Sequence, residues 1–407
     1  MKRNAVNKLI TWKENGTKVP FLLVGTKGTG KTYLAIEFAS AYYPQYLYVN
    51  FELNKAAASF FEQHLTEDAL LTEVLAAYFE IDERYLSELV VILDEISYCS
   101  VLLEKLGTVS QTPVIAISGQ LPDKELQAEA LQVCRLYPLG FDEFLSAVGS
   151  DWYVDIIQGH FQTLKPVPDI VHQELLALFE EYLIVGGMPA AINEYISSKS
   201  INNVGEVHCM LQNRMSAVLG SVCDEKERSK ATQVMEVIPE QLKRENKKFR
   251  FNSIRKGVTY GLYKDCISAL ENTGMILRLV QQSKPTHFKI YLPDVGMLST
   301  AFMGEDSPEI RKALLENYVM QSLIAMEEYQ LCFWESEALA KVEFLLSKDG
   351  HTTPVELRTS IVGKAKNIAS YQMSAGKIEE KYFRFGFENF YSTPVLKQIP
   401  YYALFCL

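Results

Sequence analysis

The chain has 407 residues, of which 48% are hydrophobic, so it is long enough to form two or three domains with buried cores. It has 40 Lys and Arg residues and 50 Asp and Glu residues, which give a formal net charge of −10. This charge excludes an overall electrostatic attraction to nucleic acid. The seven cysteines form no Cys-x-x-Cys pair, and the six histidines form no cluster with ligand spacing. We therefore expect a reducing, cytoplasmic location and no structural zinc.

Two features of the sequence bear on membranes. Residues 1–8 lack the apolar core of a signal peptide. No apolar run approaches the length that spans a bilayer. We expect no membrane association.

The most specific motif lies between a short apolar run and a segment with helical character. The phosphate-binding loop pattern is fitted at every position by Gly25-Thr26-Lys27-Gly28-Thr29-Gly30-Lys31-Thr32. Glycines let consecutive backbone N–H groups face a β-phosphate, and the following helix adds the positive end of its dipole. Lys31 is expected to reach the β- and γ-phosphates, and the Thr32 hydroxyl to complete the Mg²⁺ shell. The motif predicts that ATP and Mg²⁺ bind here.

A second acidic motif follows the five aliphatic residues 89–93. Such a run is typical of a strand buried on both faces of a parallel sheet, and ligands bind at the carboxyl ends of these strands. We expect Asp94, directly after the run, to be the carboxylate on the metal side. Glu95 is the expected general base that orients water for attack on the γ-phosphate.

Two other segments predict strands of the same sheet. Residues 113–119 form an apolar strand ending at Ser118, a candidate sensor of the γ-phosphate, although Ser-Gly is equally ordinary turn chemistry. Residues 46–51 supply another strand, whose aromatic side chains we expect to pack in the core. The α/β pattern continues to about Pro138, and the first domain is placed at 1–150.

The next part of the chain is predicted to be mostly helical. The run Gly186-Gly187-Met188-Pro189 predicts a sharp stop that only flexible residues make without strain. We place a helical lid or linker region at 151–220. Helices followed by two strands near 275–280 and 287–292 indicate a winged-helix-like domain at 221–305.

Within that domain, residues 241–256 carry seven cations against one acid, Glu245. The cations are Lys243, Arg244, Lys247, Lys248, Arg250, Arg255 and Lys256. A solvated helix face is the plainer interpretation of this basic window. Weak contact with nucleic acid or with another anionic partner through 243–256 is the alternative.

The last domain is placed at 306–407. The run Ser307-Pro308-Glu309 has the cap residue, first-turn proline and early acid of a helix start. Two strands, at 342–346 and 354–358, are expected to be joined by a turn at 348–350. The apolar residues 399–407 are expected to form a buried last strand.

Three carboxylates in this domain could lie together. Glu316 lies on the expected helix, while Glu343 and Glu356 lie on the two expected strands. This spacing allows the two strand carboxylates to meet at one end of a sheet below the helix. Such a group could hold a divalent metal for phosphodiester cleavage.

The motifs together resemble the prokaryotic AAA-type ATPases of the archaeal-ATPase-like group. The resemblance covers most of the chain and is carried by Trp12, Pro20, Gly25 to Thr32, and residues 48–52, 94–95, 136–145, 182–189, 239–242, 288–296 and 399–402. It implies an α/β protein with a P-loop AAA-type parallel sheet domain, a helical and winged-helix region, and a C-terminal α/β restriction-endonuclease-like domain. Many relatives have Arg-Gln in place of Lys27-Gly28, a change that should leave triphosphate binding intact.

The implied C-terminal domain is similar to PD-(D/E)XK nucleases but departs from their motif. The pattern normally has Asp and then Glu-x-Lys, whereas this chain has Glu343 and then Glu356-Leu357-Arg358. Arginine does not give up its proton at working pH, so it cannot act as a base. Pairing of Arg358 with Glu356 or Glu343 is an equally good structural use, and we expect nuclease activity to be absent or very weak.

Two classes of function remain. The first is a Mg²⁺-dependent ATPase whose nucleotide state switches the winged-helix and nuclease-like domains. The second is a nucleotide-binding interaction module with negligible hydrolysis that recruits a protein partner, with a weak metal-dependent nuclease as a further alternative. Glu95 favours the first, because a pure binding module needs no base beside the metal carboxylate. Arg84 and Arg135 are both candidates for an arginine finger, and nothing in the sequence ranks them.

Overall fold

The computed structural model describes residues 1–16, 19–109, 112–120, 131–336, 340–359, 366–376 and 381–407, with the side chains of residues 221, 222 and 366 excepted. Its backbone divides into an N-terminal part with a parallel sheet and a larger part with a mixed sheet. Helices pack against both sheets. The architecture is mixed α/β, as expected.

The N-terminal sheet has five strands in the order β2-β3-β4-β1-β5. All of its recorded pairs are parallel. Alternate residues of β1 face opposite sides, so Leu22 and Val24 enter one apolar core while Phe21 and Leu23 enter another. The predicted strands are therefore confirmed as β1 Phe21–Val24, β2 Tyr46–Asn50, β3 Val90–Asp94 and β4 Val114–Ser118, and the structure adds β5 Gln132–Arg135, which was not predicted.

Helices of the N-terminal part connect these strands. The helix after β1 begins at Lys31, so its amino end meets the carboxyl ends of β1, β3 and β4 at one edge of the sheet. The helices are α1 Val6–Glu14, α2 Lys31–Tyr42, α3 Lys55–His64, α4 Leu71–Phe79, α5 Glu83–Leu86 and α6 Ser100–Lys105, with 3-10 turns at Ile96–Tyr98 and Leu106–Thr108.

The expectation that the aromatic residues of β2 pack in the core is wrong for two of them. Tyr46 is 38% exposed and Tyr48 is 37% exposed. The reason is that β2 is an edge strand, with β3 on one side only. Phe51, directly after the strand, is buried as expected.

A helical region follows the parallel sheet. The sharp turn predicted at 186–189 is confirmed, since it separates α9 from α10 and Gly186 has φ 71°. A Cβ on Gly186 would lie 2.1 Å from Oδ1 of Asp294, so no larger residue fits there. The helices are α7 Phe141–Ala147, α8 Trp152–Thr163, α9 Asp169–Val185, α10 Pro189–Ser198, α11 Ile201–Val222, α12 Glu225–Lys243 and α13 Tyr260–Asn272, with a 3-10 turn at Phe251–Ser253.

The second sheet has eight strands in the order β12-β13-β11-β10-β9-β8-β6-β7. Its strands are β6 Leu277–Gln281, β7 Lys284–Tyr291, β8 Gln330–Glu335, β9 Lys341–Lys348, β10 His351–Leu357, β11 Tyr382–Gly386, β12 Tyr391–Ser392 and β13 Leu396–Pro400. The accompanying helices are α14 Val295–Ala301, α15 Pro308–Ala325 and α16 Lys366–Ser374, and a 3-10 turn covers Tyr401–Cys406.

The hairpin of β6 and β7 belongs to this C-terminal sheet. Helices precede it, as expected, but β6 also pairs in parallel with β8, Val280 lying beside Cys332. A single apolar core includes buried residues from Leu139 to Leu404, and it contains residues of the helical region, of the β6–β7 hairpin and of the later strands of the sheet. The expected boundary at 305 and 306 therefore lies inside one packed unit, and the winged-helix interpretation stays a prediction.

Local signals near the C-terminus are confirmed in two places. The Ser307 hydroxyl accepts the backbone N–H of Ile310 at 3.2 Å, which caps α15. Asp349 and Gly350 adopt φ values of 50° and 79° in the turn between β9 and β10. The expectation of a strand through Leu407 is wrong, because β13 ends at Pro400 and the chain then turns inward to bury Tyr401.

Within the described residues, no single helix has the length and hydropathy needed to cross a bilayer. The pair Asp169–Val185 and Pro189–Ser198 meets that test only when taken together across a bend of 117°.

Candidate functional site

The phosphate loop joins β1 to α2 along a path that requires glycine. Gly25 has φ 155°, and a Cβ there would lie 2.3 Å from the carbonyl oxygen of Leu136. Gly28 and Gly30 have φ values of 94° and 89°, in the region that L side chains rarely adopt. Substitution at any of these positions would change the course of the loop.

Lys31 is the first residue of α2 and is buried inside the loop. Its Nζ donates hydrogen bonds to the carbonyl oxygens of Gly25 at 2.7 Å and Thr26 at 3.2 Å. Burial lowers the pKa of the Lys31 ammonium, and the charges of Glu95 and Asp94 oppose that effect. No side chain caps the amino end of α2, so its backbone N–H groups are available to an anion.

Asp94 ends β3 and is 1% exposed. Its Oδ2 accepts hydrogen bonds from Thr32 Oγ1 at 3.0 Å, Tyr48 OH at 2.8 Å and Asn50 Nδ2 at 3.0 Å. Its Oδ1 is buried without a hydrogen-bond partner, an arrangement that costs free energy unless a cation or polar ligand faces it. A carboxylate oxygen beside a threonine hydroxyl fits Mg²⁺, which prefers oxygen ligands and retains water.

Glu95 adopts φ 54°, a left-handed conformation that is strained for a residue with a side chain. The side chain is 9% exposed, and its Oε2 lies 3.8 Å from the position of a Cβ on Gly119. Burial raises the pKa of the Glu95 carboxyl, and the charges of Lys31 and Lys27 oppose the rise. The carboxyl therefore lies at the same sheet edge as the loop and Asp94, at a pKa better suited to accepting a proton.

Lys27 of the loop is held by a carboxylate that follows β2. Its Nζ lies 2.6 Å from both Oε atoms of Glu52, which also accepts a hydrogen bond of 3.3 Å from Tyr98. Burial lowers the pKa of Lys27, but the hydrogen bond to Glu52 and the charge of Glu95 outweigh it, so the pKa is raised. The charge of Lys27 is thus offset within the protein.

Ser118 lies at the carboxyl end of β4, as the sequence predicts. Its Oγ accepts the backbone N–H of Gln120 at 3.0 Å. This is the ordinary turn contact that was the alternative to a sensor. The role in sensing γ-phosphate stays a prediction.

Three side chains at this site were given no role by the sequence analysis. Tyr48 and Asn50 donate hydrogen bonds to Asp94 and orient it. Asn50 ends the predicted strand that lies beside the one ending at Asp94, and this position is the one signal in the sequence that could have indicated its role. Arg3 donates to the carbonyl oxygens of Thr29 at 2.7 Å and Tyr137 at 2.6 Å. Its Nε also lies 3.2 Å from a carboxylate oxygen of Glu143, so the N-terminal segment is bound to the loop.

The outer side of the loop contacts the helical region. A Cβ on Gly28 would lie 2.9 Å from Leu211 Cδ2 and 3.0 Å from Met188 Cε. A Cβ on Gly274, just before the β6–β7 hairpin, would lie 3.3 Å from the backbone nitrogen of Thr26. The loop is therefore in direct contact with elements that lead to the C-terminal sheet.

The C-terminal carboxylates have different partners from those expected. Glu316 is 1% exposed and accepts hydrogen bonds from Lys289 at 2.8 Å and Tyr291 at 2.7 Å, while Lys247 Nζ lies at 2.9 Å. Burial alone would raise the pKa of the Glu316 carboxyl, but the two ammonium groups hold it well below its usual range. This cluster of Lys247, Lys289, Tyr291 and Glu316 is called the buried ion cluster below.

The possibility that Glu316, Glu343 and Glu356 together hold a metal is not borne out by the described residues. Val355 pairs with Phe344, so Glu356 and Glu343 come next in the register of β10 and β9. However, Glu356 forms an ion pair with Arg384 at 2.7 Å and lies 3.7 Å from Arg358. In the described ranges, no group of three His, Cys, Asp or Glu side chains could hold a metal ion. Lysine ammonium groups pair with Glu316, and arginine guanidinium groups pair with Glu356.

Three of the seven cations of the basic window form ion pairs within the protein. Lys247 belongs to the buried ion cluster, Lys248 lies 2.9 Å from Glu335, and Lys243 lies 2.9 Å from Glu305. These pairs reduce the charge that the window presents to solvent. Nucleic-acid contact through 243–256 stays a prediction.

Comparison with protein families gives two matches along the chain. Residues 17–145 match the model of an AAA domain. This part of the chain is therefore similar to AAA domains. Residues 176–308 match a domain of unknown function, DUF8612, which covers most of the helical region and the hairpin. A search of curated proteins found no match.

Solved structures with a similar chain course include two described as ATPases and one bound to a nucleotide analogue. A Walker-type ATPase of Pyrococcus abyssi is 14% identical, with 74% of this chain and 95% of that one covered, at a TM-score of 0.40. A second structure is a STAND protein (Signal Transduction ATPase with Numerous Domains) with a tetratricopeptide repeat sensor, from Pyrococcus horikoshii. It is 14% identical, the match covers 80% of this chain and 45% of that one, and the TM-score is 0.30. AMPPCP-bound DnaA from Aquifex aeolicus is 13% identical, with 67% of this chain and 89% of that one covered, at a TM-score of 0.30. At these scores the likeness carries no argument about function.

Proposed function

We propose that the protein is a Mg²⁺-dependent ATPase that binds ATP through residues 25–32. The observation that carries this proposal is the meeting of four side chains at one sheet edge. Lys31 lies buried inside the loop, Thr32 lies 3.0 Å from Asp94, and Glu95 lies beside the end of β4. The match of residues 17–145 to an AAA domain supports nucleotide binding independently.

Each side chain has a role in this proposal. The backbone N–H groups of the loop and of α2 bind the phosphates, and Lys31 offsets their charge. Thr32 and Oδ1 of Asp94 would hold Mg²⁺, which when bound neutralises charge on the phosphates. Glu95 orients a water molecule and accepts its proton during attack on the γ-phosphorus.

The nucleotide state is also proposed to change the arrangement of the helical region and the C-terminal sheet. Support comes from the contacts of Leu211 and Met188 at Gly28 and from that of Gly274 at Thr26. These contacts lie on the loop that would enclose the phosphates. A change in the loop on binding or hydrolysis would therefore reach both elements directly.

Calorimetric titration with ATP and ADP tests the proposal. In Lys31→Ala, affinity for both nucleotides should be lost, because the Lys31 ammonium is the one buried inside the loop, whereas that of Lys27 is held by Glu52. Lys55→Ala removes an exposed lysine and is the matched control. Unchanged affinity in a folded Lys31→Ala protein would contradict the proposal.

Measurement of ATP turnover distinguishes an ATPase from the competing function, a nucleotide-binding interaction module. An ATPase should release phosphate in proportion to bound ATP, and the rate should depend on Glu95. Tight binding without phosphate release would favour the interaction module that recruits a protein partner.

A further inference from the structure

A closed ring of buried hydrogen bonds joins the N-terminal part of the chain to the C-terminal sheet. The backbone N–H of Gly187 donates to Oδ2 of Asp294 at 2.6 Å. The carbonyl oxygen of Gly187 accepts the backbone N–H of Leu139 at 2.7 Å. The carbonyl oxygen of Leu139 in turn accepts the hydroxyl of Tyr182 at 2.6 Å.

A glutamine on α15 closes this ring. Gln321 Nε2 donates to the Tyr182 hydroxyl at 3.0 Å, and Gln321 Oε1 accepts the backbone N–H of Val295 at 2.7 Å. Val295 directly follows Asp294 at the start of α14. This arrangement is called the hydrogen-bond ring below, and its members are Leu139, Tyr182, Gly187, Asp294, Val295 and Gln321.

The hydrogen-bond ring joins segments that are distant in the chain. Leu139 follows β5, Tyr182 lies on α9, and Gly187 lies in the turn between α9 and α10. All six members are buried. A buried polar group that loses its partner costs free energy, and linked hydrogen bonds strengthen one another. The hydrogen-bond ring therefore fixes these segments relative to α14 and α15.

One side of the hydrogen-bond ring continues directly to the phosphate loop. Met188 follows Gly187, and its Cε would lie 3.0 Å from a Cβ on Gly28. Pro189 Cγ would lie 3.5 Å from a Cβ on Gly30. The position of Gly187 therefore determines which side chains pack against the outer side of the loop.

The other side reaches the first residue of the loop. Leu136 precedes Leu139 by three residues, and its carbonyl oxygen would lie 2.3 Å from a Cβ on Gly25. The backbone N–H of Leu136 also donates to the carbonyl oxygen of Val24 at 2.7 Å, directly before the loop. The hydrogen-bond ring is thus one residue away from a contact at Gly28 and three residues away from a contact at Gly25.

The phosphate loop depends on outside contacts because of its glycines. Gly25, Gly28 and Gly30 have φ values of 155°, 94° and 89°. Glycine loses more conformational freedom on ordering than any other residue. Contacts that order the loop before nucleotide arrives reduce the entropy lost on binding and so increase affinity.

We propose that the hydrogen-bond ring holds the phosphate loop in the conformation that binds nucleotide, with Tyr182 and Asp294 as positioning residues. Both side chains act through the backbone of Gly187 and Leu139 on the outer side of the loop, and not on the nucleotide itself. Asp294 and Gln321 belong to helices that accompany the C-terminal sheet. The inference rests on the proposed function and makes the C-terminal part of the chain a determinant of nucleotide affinity.

Calorimetric titration of the full chain with ADP tests the inference on two tyrosine variants. Tyr182→Phe keeps the aromatic group but removes the hydroxyl between Leu139 and Gln321, so ADP affinity should fall about fivefold. Tyr318→Phe is the matched control, because the Tyr318 hydroxyl is also buried and donates to a backbone carbonyl oxygen, that of Tyr401, at 2.9 Å. Its ADP affinity should stay within about twofold of that of the unmodified protein.

Urea denaturation separates positioning from general stability. Each tyrosine variant loses one buried hydroxyl, so the two should lose similar stability while ADP affinity falls only in Tyr182→Phe. Equal ADP affinity of the two variants would overturn the inference. Failure of the unmodified protein to bind ADP or a non-hydrolysable ATP analogue would instead overturn the proposed function.

Two aspartates that cap helices give a second comparison. Asp294 also accepts the backbone N–H of Met297 at 3.2 Å and so caps α14, while Asp224 caps α12 by accepting the backbone N–H of Glu227 at 2.8 Å. Asp294→Ala should weaken ADP binding about tenfold or more, since both accepted hydrogen bonds are lost. Asp224→Ala loses a cap outside the hydrogen-bond ring and should bind ADP normally.

Asp294→Asn keeps an oxygen that can accept the Gly187 N–H, so it should recover part of the affinity lost in Asp294→Ala. An equal loss of ADP affinity in Asp224→Ala and Asp294→Ala would contradict the inference. If Asp294→Ala folds poorly, the comparison of Tyr182→Phe with Tyr318→Phe decides.

Amide hydrogen exchange measures the same coupling in the opposite direction, because coupling between two sites is reciprocal. The backbone donors of the hydrogen-bond ring are Leu139, Gly187 and Val295. Their amides should exchange more slowly when ADP saturates the unmodified protein, and the slowing should be smaller in Tyr182→Phe. Exchange that is unchanged by ADP at these three amides would also overturn the inference.

Discussion

The phenol of Tyr48 donates a hydrogen bond of 2.8 Å to Oδ2 of Asp94, from the edge strand β2 to its neighbour β3. Asn50 donates to the same oxygen at 3.0 Å, from the position that pairs with Asp94 in the parallel register. Burial raises the pKa of Tyr48 to about 12, and the charge of Asp94 adds to the rise. The phenol therefore remains a donor at neutral pH and leaves Oδ1 as the oxygen for a cation.

Replacing Tyr48 by Phe should weaken the response to Mg²⁺. The ring remains but one donor to Asp94 is lost, a change of about 1 kcal/mol, or roughly fivefold, in the Mg²⁺ concentration that gives half-maximal hydrolysis. Tyr46→Phe removes the hydroxyl of an exposed tyrosine on the same strand and is the control. Identical Mg²⁺ dependence of the two variants would show that Tyr48 does not orient Asp94.

Glu95→Gln should retain nucleotide binding and lose turnover. A glutamine cannot accept the proton of the attacking water, so kcat should fall by about 10²–10⁴-fold. Phosphate release and calorimetric affinity measure the two effects separately. Glu88→Gln, an exposed glutamate before β3, should behave as the unmodified protein. Equal turnover in Glu95→Gln would move the base to another residue.

The pH dependence of turnover should report the environment of Glu95. Burial raises the pKa of its carboxyl above the ordinary 4.5, and only the deprotonated form accepts a proton. The rate should therefore fall as the pH is lowered, with a midpoint above 4.5. A rate that stays constant down to pH 4.5, while circular dichroism shows an intact fold, would contradict this assignment.

The buried ion cluster should make stability depend on Glu316. Its folded pKa is depressed, so its contribution is complete above the unfolded pKa and declines as the pH falls below about 4.3. Glu316→Gln leaves two buried ammonium groups without their carboxylate and should lower the free energy of unfolding at pH 7 by about 3–5 kcal/mol. Urea denaturation measures the loss, which should shrink at acid pH.

The matched control for that experiment is Glu328→Gln. Glu328 lies 2.6 Å from Lys348, but both side chains are about half exposed, so little stability should be lost. Equal destabilisation by the two variants would show that burial does not strengthen the dependence on Glu316.

The C-terminal part of the chain should not cleave nucleic acid. Glu316 is held by two lysines, Glu356 by Arg384, and Arg358 cannot act as a base. Incubation with Mg²⁺ or Mn²⁺ and supercoiled, linear and single-stranded DNA should leave every substrate intact. Cleavage that disappears in Glu356→Ala would contradict this prediction.

The sequence by itself determined the features that depend on near neighbours in the chain. The loop at 25–32, the strand before Asp94, the turn at 348–350 and the cap at Ser307 all follow from backbone dihedral preferences, hydrophobic runs and local hydrogen bonds. These signals reach only a few residues. They therefore located the phosphate loop and the acidic pair without any knowledge of packing.

Only the tertiary structure decided which distant groups meet. Tyr48 reaches Asp94 across 46 positions in the chain, and Lys289 reaches Glu316 across 27. The same holds for the pairing of β6 with β8. Hydrophobic periodicity indicates that a strand or helix is buried, but the element it packs against depends on the packing of the whole chain. That packing places Lys247 beside Glu316 and Arg384 beside Glu356, so these carboxylates form ion pairs instead of a metal site.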